Sequence, residues 1–91
     1  MRDCIDIVIV NWCSGDQLSD AVSSIKDFHK NEVASVVVVD NASTDDSLSK
    51  IEAMTDLPFP FYTIRNTKNI GFGAACNQGA KLGRGEYILF L

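Results

Sequence analysis

Asp40 is the residue best placed for binding chemistry, because it directly follows the most apolar run of the chain, the valines at 36–39. When such a run forms a strand in an open parallel sheet, ligands bind where the strand ends. A carboxylate there can accept hydrogen bonds from ribose hydroxyls or from the N3–H of a pyrimidine base. The alternative is an ordinary turn residue, since Asp and Asn are common at strand ends. We expect Asp40 to contact a ligand.

An aromatic residue, Trp12, follows the first apolar run, residues 5–10, in a similar position. Its ring could form a wall for a flat base or sugar, and the alternative is a partly buried core tryptophan. Nucleophilic catalysis by its neighbour Cys13 is not expected, because no basic partner is near in the sequence. The single histidine, His29, is expected to be a solvated residue at a helix end, where the helix dipole favours it.

A glycine-containing turn at 69–73 opens a segment of small residues, and the charges around it are unevenly distributed. Eleven of the twelve acidic residues fall in 1–56. The stretch that follows contains four basic residues, Arg65, Lys68, Lys81 and Arg84. Backbone N–H groups at a helix N-terminus, with glycines and cations nearby, suit a phosphate or diphosphate, whereas the alternative is a solvated basic face. Dinucleotide and P-loop sites are excluded, since neither glycine fingerprint fits.

Four apolar segments alternate with three segments of helical periodicity, as in a parallel α/β sheet. Strands are predicted at 5–10, 35–39, 61–65 and 86–91. Helices are predicted at 16–29, around Leu48, Ile51 and Met54, and at 71–82. Because the strands are apolar throughout, they predict a Rossmann-like sheet with helices on both faces.

Local signals add detail to this arrangement. Ser14 with Gln17, and Ser43 with Asp46, have the capping-box spacing expected at the starts of the first two helices. The two prolines before the third strand predict that this strand lies at a sheet edge. The fourth strand is expected beside the first, across the point where the strand order reverses.

Composition restricts the class of protein. With 91 residues the chain is one small domain at most, and its net charge of −4 argues against a nucleic-acid partner. No apolar run reaches the ~18–20 residues that cross a bilayer, and the N-terminus does not have the form of a signal peptide. We therefore expect a cytoplasmic chain. Its cysteines, Cys4, Cys13 and Cys76, lack CxxC spacing and are expected to be reduced thiols.

The last predicted strand, 86–91, brings the chain to an end on three large apolar residues, Leu89, Phe90 and Leu91. Backbone groups and apolar side chains in such a position need partners. We expect the chain to be the truncated N-terminal part of a larger protein, and its apolar end to promote self-association in isolation.

Three ordered blocks resemble family 2 glycosyltransferases, and most closely their rhamnosyltransferase-like branch. The blocks are IVIVNW at 7–12, VVVDNASTD at 37–45 and NIGFGAACNQG at 69–79. The resemblance extends over essentially the whole chain. The resemblance implies the N-terminal, nucleotide-binding half of a glycosyltransferase A-type fold. Two departures from the family pattern are Cys13, where asparagine is usual, and Cys76, where many members have arginine.

The same resemblance implies the residues of a nucleotide site: Val10, Trp12, Asp40, Asn69, Gly71 and Asn77. It implies neither a catalytic residue nor a metal ligand in this chain. In the family, an Asp-x-Asp motif that binds Mg²⁺ or Mn²⁺ follows a strand like 87–91, and the catalytic base belongs to the acceptor half.

The resemblance also implies the activity of the parent protein. It would transfer a sugar, with inversion, from a nucleoside-diphosphate donor to a hydroxyl of a glycan or lipid-linked acceptor. A parent protein bound peripherally at the inner membrane face is compatible with this activity. Two alternatives remain at this point. One is a stand-alone nucleotide-binding module, and the other is a receiver-like regulatory domain with Asp40 as phosphoacceptor. The receiver would need an acidic pair after the first strand, where the chain has Asn11-Trp12-Cys13.

Overall fold

A computed structural model describes residues 5–28, 31–83 and 85–91, so that Cys4, His29 and Arg84, and the expectations for them, lie outside the described residues. The elements follow in the order β1 (Ile5–Asn11), α1 (Gln17–Phe28), β2 (Val33–Asp40), α2 (Ser47–Glu52), β3 (Phe61–Arg65), α3 (Phe72–Ala80) and β4 (Tyr87–Phe90). The predicted order of strands and helices is confirmed.

All four strands are parallel and form one sheet in the order β3-β2-β1-β4. The edge position of β3 and the place of β4 beside β1 agree with the predictions. The register pairs Asn11 with Asp40, and Asp40 with Arg65. The last residues of the three strands therefore form a row at the carboxyl edge of the sheet.

The helices cover both faces of the sheet, as the apolar strands predict. On one face, α1 and α2 pack on alternate residues of β1 and β2 through a core that includes Val22 and Ile51. On the other face, Ala75 of α3 packs on Val8, Val37 and Val39. Every residue of β2 is buried, because this strand has a neighbour on each side and helices above and below. The structure has the expected α/β fold.

Both predicted capping boxes are wrong. The hydroxyl of Ser14 donates to Oδ1 of Asn11, and that of Ser43 donates to Oδ1 of Asp40. The residue that precedes α2 is Asp46, which makes no side-chain capping bond. A capping-box serine accepts a helix N–H, whereas these two hydroxyls are oriented towards buried side chains at the strand ends and, among the described residues, bond no N–H of their helices.

Strand β4 exposes apolar side chains on both of its faces. Residues 87–91 are between 43% and 65% exposed, although all five are large and apolar. The apolar patch expected at this strand is therefore present, and the self-association inferred from it stays a prediction. Within the described ranges, no helix has the length and apolar character needed to cross a membrane.

Candidate functional site

The carboxyl edge of the sheet collects most of the polar side chains that the sequence singles out. Its centre is Asn11, which ends β1 and is only 2% exposed. The Nδ2 atom of Asn11 lies 2.9 Å from Oδ1 of Asp40, 2.9 Å from Oγ of Ser47 and 3.2 Å from Oγ of Ser43. This cluster joins the loop after β1 to the loop after β2.

Asp40 is 5% exposed and accepts three hydrogen bonds inside the cluster. Its Oδ1 receives the amide of Asn11 and the hydroxyl of Ser43 (2.6 Å), and its Oδ2 receives the backbone N–H of Ser43 (3.0 Å). A carboxylate offers about four acceptor positions. Among the described residues, three are occupied, and the position that remains belongs to Oδ2. The predicted ligand contact at Asp40 therefore depends on this oxygen.

Trp12 projects from the loop that follows this cluster and is 59% exposed, so it is not a core tryptophan. Its neighbour Cys13 has a positive φ of 50°, which turns the chain sharply after the ring. The backbone N–H of Cys13 donates to Oγ of Ser43 at 2.9 Å. Val10, the other predicted residue of this strand, is half-buried and contributes to the wall of a cavity of about 190 Å³ beside β1.

The thiol of Cys13 is hydrogen-bonded as well. Thr44 approaches its Sγ with the hydroxyl at 3.5 Å and with the backbone N–H at 3.3 Å. These two contacts, the hydroxyl first, lower the pKa of the Cys13 thiol below its ordinary value by stabilising the thiolate. The loop that carries Trp12 is thus tied to the loop after β2 at several points.

A second polar cluster joins β2 to the segment before α3. Asn41, 2% exposed, donates from Nδ2 to the carbonyl of Gly71 (3.2 Å) and accepts at Oδ1 from Nδ2 of Asn66 (3.0 Å). Asn66 and Gln78 in turn exchange a reciprocal pair of amide hydrogen bonds, at 2.8 and 2.9 Å. Adjacent residues of one strand end, Asp40 and Asn41, therefore bind different neighbouring loops.

The start of α3 has the open form expected for an anion site. Gly71, with φ of 89°, is the residue before the helix, and its N–H donates to Oδ1 of Asn69 at 2.9 Å. The next three residues, 72–74, are exposed. Asn77 is also exposed but lies about 7.5 Å further along the helix axis, at 1.5 Å per residue. It is set back from the edge that holds the other five predicted site residues.

The predicted basic face does not assemble around this helix start. Arg65 forms an ion pair with Glu52 of α2, and Lys81 follows the other end of α3. Arg84 lies outside the described residues. Of the cations described by the structure, Lys68 is the one in the loop that leads to α3. The basic residues are close in sequence, but the nine residues of α3 separate Lys68 at one end of the helix from Lys81 at the other.

A metal ion has no obvious place in the described ranges. Residues 5–28, 31–83 and 85–91 contain no group of three or more His, Cys, Asp or Glu side chains that could hold one. At the carboxyl edge, the carboxylates of Asp40 and Asp45 are both engaged by serine side chains or backbone N–H groups. These residues do not fit the divalent metal that the resemblance implies for the parent protein.

A wide apolar cavity lies away from the polar edge. It measures about 450 Å³ and runs between α1 and β4, where it is lined mainly by apolar side chains such as Ile5, Ile25 and Leu89. A charged nucleotide would lose hydration there without gaining hydrogen bonds. The polar carboxyl edge is the better candidate site, although its own cavity is smaller.

Four residues of this edge were missed as site residues by the sequence analysis: Asn11, Asn41, Ser43 and Asn66. Asn11 directly follows an apolar run and Asn41 comes one residue after the next, behind Asp40, and this position was the available signal. The register partner of Asp40 is Asn11, an amide, so the acidic pair of a receiver domain is absent from the ends of β1 and β2. The receiver-like alternative therefore loses its support.

Comparisons with known proteins agree with this geometry. The chain is 29% identical over 85 residues to the uncharacterized glycosyltransferase YfnE of Bacillus subtilis (strain 168). Its structure is similar to S. aureus TarS 1–349, with a TM-score of 0.78 and 26% identity. It is also similar to the mannosyltransferase PcManGT of Pyrobaculum calidifontis, solved with GDP-Man and Mn²⁺, with a TM-score of 0.82 and 23% identity. TarS 1–349 has also been solved in complex with UDP.

These matches cover nearly all of this chain and a small part of each relative. The match to YfnE covers 92% of this chain, and the matches to the two structures cover 97% of it. In the other direction, the chain spans 21% of YfnE and 26% of each structural neighbour. The sequence model of the family described as Glycosyl transferase family 2 matches residues 6–91. This chain therefore belongs to glycosyl transferase family 2.

Proposed function

We propose that residues 1–91 form the nucleotide-binding part of a glycosyltransferase catalytic domain and bind the nucleoside diphosphate of a sugar donor. The observation that carries the proposal is the carboxyl edge of the sheet. There an exposed aromatic ring, Trp12, follows one buried polar cluster, and a second polar cluster borders the open N-terminus of α3. The complex of the similar protein TarS with UDP supports a nucleoside diphosphate as ligand.

Each proposed site residue has a distinct role. Trp12 stacks on the base, and Val10 contributes to the wall beneath it. Asp40 accepts a hydrogen bond from the base or ribose at its remaining Oδ2 position. Asn69 and Gly71 border the diphosphate at the start of α3, where backbone N–H groups favour an anion. Asn77, on the exposed face of the same helix, borders the outer part of the donor.

The parent protein is proposed to transfer the donor's sugar, with inversion, to a hydroxyl of a glycan or lipid-linked acceptor. A rhamnosyl donor is the specific case suggested by the three sequence blocks. A lipid-linked acceptor would place the protein at the cytoplasmic face of the inner membrane. The divalent metal seen in PcManGT would, in this protein, be held by an Asp-x-Asp motif after β4 and not by the described residues.

Titration of the purified chain with UDP, dTDP and GDP tests the proposal. Calorimetry gives the affinity, and quenching of the single tryptophan, Trp12, locates the ligand. Trp12→Ala should weaken binding by about 1–3 kcal/mol, the typical value of one stacked base. Tyr87→Ala is the matched control, since Tyr87 is 65% exposed at the opposite, amino end of the sheet. The proposal fails if none of the three nucleotides binds the wild-type chain, or if Trp12→Ala binds them as tightly as Tyr87→Ala does.

A further inference from the structure

The hydroxyl of Ser43 uses all of its hydrogen-bonding capacity. It donates to Oδ1 of Asp40 at 2.6 Å, and it accepts from Nδ2 of Asn11 at 3.2 Å and from the backbone N–H of Cys13 at 2.9 Å. A serine hydroxyl has one donor and two acceptor positions. Ser43 is only half-buried, yet its side chain is saturated by three partners from two loops.

These partners lie on either side of Trp12 in the sequence. Asn11 precedes Trp12 and Cys13 follows it, and both are bonded to the same oxygen atom. The hydroxyl therefore holds the backbone after Trp12, through the N–H of Cys13, and contacts the side chain of the residue before it, while the ring remains 59% exposed. Asp40 fixes the hydroxyl in turn, because the backbone N–H of Ser43 also bonds to its carboxylate.

We propose that Ser43 is a positioning residue that fixes the orientation of Trp12 for stacking on the base of the donor nucleotide. This inference rests on the proposed nucleotide site. Without the hydroxyl, the Cys13 N–H loses its acceptor, and the ring can sample more orientations. The two amide hydrogens of Asn11 keep their acceptors in Asp40 and Ser47. A nucleotide would then have to order the loop on binding, which lowers affinity.

The chain contains a matched control for this substitution. Ser35, on β2, donates from its hydroxyl to Oδ1 of the buried Asp6 at 2.6 Å, the same distance as between Ser43 and Asp40. Ser35 lies near the amino end of the sheet, away from Trp12. Ser35→Ala therefore removes an equivalent serine–carboxylate bond without changing the proposed site.

The experiment measures two properties of the purified chain, the time-resolved anisotropy of Trp12 fluorescence and the affinity for UDP or dTDP. Ser43→Ala should add a fast local motion of the ring and weaken nucleotide binding about tenfold, the effect of about 1.4 kcal/mol. Ser43→Thr, which keeps the hydroxyl, should restore both properties. Ser35→Ala should leave both unchanged in the folded protein, whatever it costs in stability. If Ser43→Ala does not fold, Ser43→Cys keeps the size and weakens the three bonds.

The outcomes separate the two proposals. If the wild-type chain binds no nucleotide but Ser43→Ala still mobilises Trp12, the positioning role stands and the proposed function fails. If the wild-type chain binds nucleotide and the folded variant changes neither property, the positioning role is refuted. It is also refuted if Ser35→Ala mobilises Trp12 as much as Ser43→Ala does, because the effect is then a general loosening of the sheet.

Discussion

Replacing Asp40 by asparagine separates two roles that the structure gives to its carboxylate, holding the loops and contacting a ligand. In Asp40→Asn the remaining oxygen can keep the Oδ1 position and its bonds from Asn11 and Ser43. The new amide then faces the backbone N–H of Ser43, which donates to Oδ2 at 3.0 Å in the wild-type protein. One hydrogen bond to a charged group is lost, with a cost to stability of about 1.5–3 kcal/mol.

A domain of this size should remain folded after such a loss. Stabilities of about 0.05–0.15 kcal/mol per residue correspond to roughly 5–14 kcal/mol for this chain. If Oδ2 also accepts a hydrogen bond from the nucleotide, affinity should fall by a further ~1–3 kcal/mol, or roughly 5- to 150-fold. Urea unfolding measures the loss of stability. Calorimetric titration with a nucleoside diphosphate measures the loss of affinity, at a temperature where the wild-type protein and Asp40→Asn are both folded.

Asp6→Asn is the matched control for this prediction. Asp6 is a second buried carboxylate, 1% exposed, that accepts from the hydroxyl of Ser35 at 2.6 Å and from the N–H of Gly85 at 2.7 Å at the amino end of the sheet. Its substitution should reduce stability without a change of affinity. A folded Asp40→Asn protein with wild-type affinity would refute the ligand contact and leave Asp40 with a purely structural role.

Three further predictions concern the surroundings of the site. Because its pKa is lowered, chiefly by the hydroxyl of Thr44, Cys13 should be alkylated by iodoacetamide at pH 7–8, and Thr44→Val should slow the reaction. Gly79→Ala would place a Cβ 2.4 Å from a valine methyl of β1 and should cost about 1–3 kcal/mol in urea unfolding, whereas Gly73→Ala meets nothing within 4 Å. The pKa of Asp45 is lowered first by the Ser47 hydroxyl, so its contribution to stability should be lost as the pH falls through that lowered pKa, and Asp45→Asn should weaken this acid dependence.

The sheet and its helices could be predicted because hydrophobic periodicity determines them. Consecutive valines predict a strand covered on both faces, and β2 is buried along its whole length. At the carboxyl ends the strand limits were less accurate, since the polar residues Asn11 and Asp40 were placed just after the predicted strands at 5–10 and 35–39. In the structure the two residues are register partners that extend β1 and β2 by one residue each.

The partners of the polar residues could not be predicted from spacing alone. Ser43 has the spacing of a helix cap, but its hydroxyl donates to a buried carboxylate three residues earlier and accepts the N–H of Cys13 in place of a helix N–H. Sequence gives no measure of that burial. The basic stretch was misjudged for a related reason, because Arg65 meets an acid, Glu52, that the charge pattern had placed in a different part of the chain.

The three loops of the carboxyl edge depend on the end of one strand. Asp40 holds the loop after β1 through Asn11 and Ser43, while Asn41 holds the start of α3 through the carbonyl of Gly71. The backbone continues the same links, from Asn41 N–H to the carbonyl of Asn11 and from Asn66 N–H to the carbonyl of Asp40, both at 2.9 Å. The loops are therefore ordered by folding, before any ligand arrives. A nucleotide that binds here does not have to order them, and its affinity should be sensitive to substitutions at buried residues that it does not touch.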